Sequence, residues 1–139
     1  MMKTLCIMIL CATLVVGCVT APVDPHQKTI ASLDDSIYAL SAAIDVVVDT
    51  LPPDSRDDQI ISVVTAKDPS LTAPFAGYTL KAEIQDGTGV ILLCDKDAHV
   101  AYIEDVTCTP RIDTLRPTGS PCLFFLDVKK VCTEIQRNK

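Results

Sequence analysis

The sequence predicts an α+β domain in which N-terminal helices, one of them long and heptad-patterned, pack on a small antiparallel sheet of about four strands stapled by disulfides. Three observations carry that expectation. Apolar residues recur at alternating spacings of three and four from Ile30 to Leu51. From Tyr78 the apolar period changes to two, with the turn-forming run Asp86-Gly87-Thr88-Gly89 behind it. Four cysteines, Cys94, Cys108, Cys122 and Cys132, fall in the same second half.

Ahead of the domain, Lys3 is the only charge in the first seventeen residues. Thr4 to Val16 is a nearly continuous apolar run that ends at the small residue Gly17. A charged start, a short apolar core and a small-residue site mark a secretory signal peptide. The run is shorter than the roughly 20 apolar residues a spanning helix needs. Leu14-Val15-Val16-Gly17-Cys18 resembles the lipobox of bacterial lipoproteins, the alternatives being an ordinary secretory signal or a membrane-anchored helix.

The resemblance covers residues 1–18 and implies that the Cys18 thiol takes a diacylglyceryl group. It further implies cleavage between Gly17 and Cys18 and acylation of the new amino terminus, palmitate being a usual chain. Each buried methylene contributes roughly 0.8 kcal/mol and stable anchoring takes at least two hydrophobic signals, which the acyl chains supply alone. Val19 stands where an Asp would signal inner-membrane retention in lipoproteins of this type. The expected location is therefore the bacterial cell envelope, at an outer membrane and facing the periplasm.

Residues 1–17 thus form the expected signal peptide, and 18–28 the acylated cysteine and a tether with two prolines and no apolar periodicity. Loss of the signal leaves 122 residues, enough for one small domain. It also moves the formal charge from −6 to −7, because the signal holds one lysine and no acid. An acidic chain repels phosphate, so no nucleic acid is expected as a partner, and membrane attachment must come from lipid.

Residues 29–51 read as an amphipathic helix. Ile30, Leu33, Ile37, Leu40, Ile44, Val47 and Leu51 form a heptad seam, and Pro52-Pro53 ends it. An acylated cysteine followed by a heptad helix also loosely resembles the murein lipoprotein family over residues 18–51. The chain departs from that pattern by being short and by leading into a cysteine-bearing domain. The flanking positions Asp34, Ser36, Ser41, Ala43, Val48 and Thr50 lack complementary charges, and Val46 and Val48 widen the apolar stripe. The helix therefore either packs on its own domain or self-associates as a coiled coil through residues 30–51, giving a possible homo-oligomer.

Residues 55–139 read as a small disulfide-bonded α+β domain. Ser55 with Asp58 three residues later looks like a helix start, and Ile60, Ile61, Val63 and Val64 follow at helical spacing up to Asp68-Pro69. Their β-branched content would also suit a strand. Tyr78, Leu80, Ala82 and Ile84 alternate with polar residues as a half-buried strand. The turn at 86–89 leads into the fully apolar Val90 to Cys94, suited to the centre of a sheet. Asp95-Lys96-Asp97-Ala98 turns the chain into a third strand, His99 to Val106. Residues 109–121, with three prolines and one glycine, read as a loop; Cys122 to Val128 reads as a fourth strand and Lys129 to Lys139 as a short helix or tail.

An even number of cysteines in an exported small domain implies two disulfides, and four cysteines allow three connectivities. With the hairpin turning at Lys96-Asp97, Cys94 faces roughly residue 99 or 100, which argues against Cys94–Cys108, since bridged Cα atoms lie within about 7 Å. Cys108 and Cys122 flank the proline-rich loop, so the expected pairs are Cys108–Cys122 and Cys94–Cys132.

A search for chemistry finds no P-loop, dinucleotide fingerprint, HExxH or EF-hand loop. His26 lies in the tether and His99 has no nucleophile motif near it, so no catalytic residue and no cofactor are expected. Alternate residues Asp95, Asp97 and His99 share a face of an extended segment and are weak candidates for a divalent cation; otherwise they form a polar turn. The expected function is a non-catalytic binding or assembly role with a protein partner in the envelope. The alternative is a small stapled inhibitor or exclusion factor acting on an exported enzyme, phage or toxin, with residues 109–121 as its active loop.

Overall fold

A computed structural model describes residues 25–109 and 114–137. The expected signal peptide and Cys18 lie outside the described residues. Within them the order is helix α1 (Pro25–Val47), a 3₁₀ turn (Val48–Thr50), helix α2 (Asp57–Lys67) and a second 3₁₀ segment (Pro69–Phe75). Strands β1 (Thr79–Gln85), β2 (Thr88–Cys94), β3 (Ala101–Val106) and β4 (Thr114–Leu115) follow, then helix α3 (Val128–Arg137). The chain is α+β, with an antiparallel sheet and two disulfides.

Helix α1 begins at Pro25 rather than near residue 29, so the end of the expected tether is helical. Proline suits the first helical turn, where its missing N–H would have no partner in any case. Ile30, Leu33, Ile37, Leu40, Ile44 and Val47 are all buried in one cluster with Ile60, Val64, Phe75, Ile91, Leu93 and Ile103. The seam is therefore consumed inside the chain, against α2 and one face of the sheet.

Helix α2 is a helix, but its cap differs from the one expected. The N-cap is Arg56, whose backbone N–H donates to Gln59 Oε1 at 3.4 Å, while Ser55 is buried one residue earlier. The start of α2 also covers part of the outer edge of the sheet. Arg56 forms an antiparallel bridge with Glu83 and an ion pair with its carboxylate, and Asp57 Oδ1 accepts from the Ala82 N–H at 2.9 Å. An uncovered edge strand is a site for unwanted pairing, and these contacts occupy it.

The sheet order is β1-β2-β3-β4, all antiparallel. Asp86 and Gly87 both take positive φ (51° and 77°), the two-residue turn whose twist matches the flanking strands. β2 is buried on both faces. Ile91 and Leu93 join the helical core, whereas Val90, Leu92 and Cys94 face the opposite side with Val106 and Ala101. That second side is covered by residues 121–127 and α3, giving three layers.

Two expectations are corrected here. Residues 122–128 form no sheet strand: after an isolated bridge between Val100 and Pro121 the chain runs irregularly until α3 starts at Val128. The place beside β3 is taken by β4, inside the stretch expected to be loop, with Ile103 opposite Leu115 and Glu104 opposite Thr114. The disulfides also differ from those expected, being Cys94–Cys122 and Cys108–Cys132, with Cα separations of 5.8 and 6.0 Å. The chain after β3 does not close a local loop. It returns along β3, with the Arg116 N–H donating to the Tyr102 carbonyl and the Ala101 N–H to the Ser120 carbonyl. Cys122 therefore arrives at the start of β3, opposite Cys94, while Cys108 stays at the far end, where α3 brings Cys132.

Candidate interaction surface

Among the described residues the clearest polar construction is built on Glu104. It lies opposite Leu92, so its side chain enters the C-terminal layer, where it is fully buried. Its Oε2 meets Arg116 Nη1 at 2.7 Å, and its Oε1 accepts the backbone N–H groups of Phe125 and Leu126 at 2.7 and 2.9 Å. The Arg116 side chain is itself 8% exposed and lies 5.1 Å from the Phe125 ring centroid, within cation–π range. A buried carboxylate is tolerated only when paired and hydrogen-bonded, and Glu104 is both. It also explains why residues 122–128 form no strand: two of the amides that a strand would offer a neighbour are given to a side chain instead.

This pin and the two disulfides set how residues 121–127 are presented. Cys122, Phe124 and Leu126 pack inward on the sheet, while Leu123 and Phe125 point outward at 64% and 80% exposure. Phe125 is the most exposed of the large apolar side chains among the described residues, and with Leu123 it makes a paired outward apolar feature. The outer side of α3 follows, with Lys129, Lys130, Thr133, Glu134 and Arg137 lining a shallow cleft of about 300 Å³.

The opposite surface belongs to the helices. An apolar groove of about 280 Å³ lies between the ends of α1 and α2 and the second 3₁₀ segment, lined by Ala43, Val46, Val47, Val64 and Leu71 with Lys67 and Asp68 at its rim. Val46 is 74% exposed beside it. Along α1 the exposed side includes Asp34, Asp35 and Asp45, with Asp49 just beyond. The charge is unevenly shared: residues 25–109 carry fourteen acidic and five basic side chains, residues 114–137 two acidic and four basic.

The residues singled out from sequence fall in several places. Asp95 holds the β2–β3 turn, its Oδ1 accepting from the His99 and Val100 N–H groups at 2.6 and 3.0 Å. The Val100 bond is the main cause holding its carboxyl below the usual range; burial opposes it, and the His99 amide and charge lower it further by lesser amounts. Asp97 and His99 are exposed. Among the described residues no group of three or more His, Cys, Asp or Glu side chains is placed to hold a metal ion. The four cysteines sit in the two bridges, and no helix among the described residues is long and apolar enough to cross a membrane. Glu104 and Arg116 were missed; the available signal was a glutamate in the otherwise inward-facing run of β3.

No protein family, curated protein or solved structure matches this chain.

Proposed function

We propose that the chain is a lipid-anchored envelope lipoprotein, acylated at Cys18 and facing the periplasm, whose folded part binds a protein partner without catalysis. The lipobox-like run at 14–18 supports the anchor, and two disulfides suit an oxidising compartment. The observation that carries the binding role is the apolar groove beside Val46 on an acidic helical layer. Such a surface suits a partner with an apolar anchor side chain and a basic surround. Self-association through the heptad seam is left out of the proposal, since Ile37, Leu40 and Ile44 are fully buried within one chain.

Labelling with radioactive palmitate tests the anchor: label is expected on the wild type and absent from Cys18→Ser, and equal label on both sinks it. Capture from detergent-solubilised envelope tests the binding role. A partner is expected with the wild type and lost with Val46→Asp; a partner retained by that variant moves the site elsewhere. A second reading, an inhibitor of an exported lytic enzyme or an exclusion factor, draws support from the rigidity two disulfides give the C-terminal layer. Capture of one such enzyme, with loss of its activity, would favour it.

A further inference from the structure

Given acylation at Cys18, on which this inference rests, only residues 19–24 separate the anchor from the first residue of α1. Six residues reach at most about 20 Å, close to the centre-to-centre span between the two layers packed on either face of a sheet at about 10 Å each. So short a link holds one surface of the domain against the bilayer. The helical layer is a poor choice, because its exposed aspartates are repelled by anionic headgroups.

We infer that the C-terminal layer lies on the membrane, with Phe125 and Leu123 entering the interface and the α3 cations meeting phosphate headgroups. Both apolar side chains project from one side of a segment fixed by Glu104 and by Cys94–Cys122. They lead directly into Lys129, Lys130 and Arg137 on the outer side of α3. Asp127 and Glu134 are the acids of the same stretch, and Asp86 comes within 3.7 Å of Lys129. Outward aromatic and aliphatic groups next to cations are the pattern of interfacial binding. A chain held by lipid needs this face for orientation rather than for affinity. It leaves the apolar groove, on its acidic helical layer, turned toward the periplasm.

The chain contains no tryptophan, so one indole reports on one place. Full-length acylated chain carrying Phe125→Trp or, on α1, Tyr38→Trp would be placed in phosphatidylethanolamine–phosphatidylglycerol vesicles with brominated acyl chains. The expected result is strong quenching for Phe125→Trp and little for Tyr38→Trp. Adding Lys130→Glu and Arg137→Glu to Phe125→Trp should shift the balance between the quenched and unquenched orientations on the order of tenfold away from the quenched one. Equal quenching at the two positions, or more at 38, overturns the orientation, as does a cross-link from position 125 in cells to a protein or a second copy instead of lipid. Mass spectrometry of the same samples reports acylation separately. If Cys18 proves unmodified the anchor reading falls, and the same two tryptophan variants, begun at Cys18 and coupled there to a maleimide lipid, then decide this face alone: stronger quenching at 125 than at 38 upholds it, equal quenching or more at 38 overturns it.

Discussion

Gly89 and Ile44 are in contact that leaves no room for a side chain. A Cβ at Gly89 would stand 2.6 Å from Ile44 Cγ2 and 3.0 Å from Thr107 Cγ2. Gly89 is not at positive φ, so its glycine is there for the close approach of α1 to the start of β2, not for the turn. The Thr107 hydroxyl fastens the same corner, accepting from the Gly89 N–H at 3.2 Å and donating to Asp45 Oδ1 at 3.3 Å. Gly89→Ala should overpack this corner and cost about 1–3 kcal/mol. For a domain of this size that lowers Tm by several degrees, on the order of 4 °C per kcal/mol. An unchanged melting curve would show that α1 can lift away freely.

Removing one member of the buried ion pair should be worse than removing both. Glu104→Leu leaves Arg116 charged and unpaired in a buried site, along with two amides, and should cost about 3–5 kcal/mol in urea unfolding. Glu104→Leu with Arg116→Leu should recover part of the loss, because only the two amides then lack a partner. A double variant as unstable as the sum of the singles would contradict the coupling.

Non-reducing peptide mapping should join Cys94 to Cys122 and Cys108 to Cys132. The sequence separations are 28 and 24, so each bridge restricts the unfolded chain by about 3.5 kcal/mol on the loop-entropy relation. Cys94 and Cys122 are buried, while Cys108 and Cys132 are half-buried. A water-soluble dithiol should therefore open Cys108–Cys132 first, freeing α3 before the central strand. Simultaneous opening of both would mean that access is governed by global unfolding.

The β2–β3 turn should loosen in acid. Asp95 has its pKa held below the ordinary aspartate value, first by the Val100 amide and then by the His99 amide it also accepts from. A depressed carboxylate stabilises the fold above its unfolded pKa and loses that contribution as pH falls through the folded one. Protection of the His99 and Val100 amides from hydrogen exchange should hold at neutral pH and fall below about pH 4, and Asp95→Asn should abolish the pH dependence. Protection that does not change with pH in the wild type would remove Asp95 from this role.

Much of this architecture was legible in the amino-acid sequence, wherever the determining interaction is local or periodic. The spacing from Ile30 to Val47 can only be a helix with one apolar stripe, and Asp86-Gly87 can only be a tight turn between strands. The uninterrupted run Val90 to Cys94 has to be covered on both faces. What the stripe packs against was left open, because a heptad seam reads the same whether its partner is a second chain or the chain's own sheet.

Only the tertiary structure decided the C-terminal half. Whether Cys108 meets Cys122 or Cys132 depends on the chain running back along β3 through Arg116 and Ala101, a path set by backbone bonds between residues more than ten positions apart. Residues 122–127 have the composition of a strand, yet Glu104 takes two of their amides, and no local pattern in residues 122–128 records a carboxylate from another strand. The exposure of Phe125 follows from that pin. Local propensity identifies what a segment can become; the partner that claims its hydrogen bonds settles what it is.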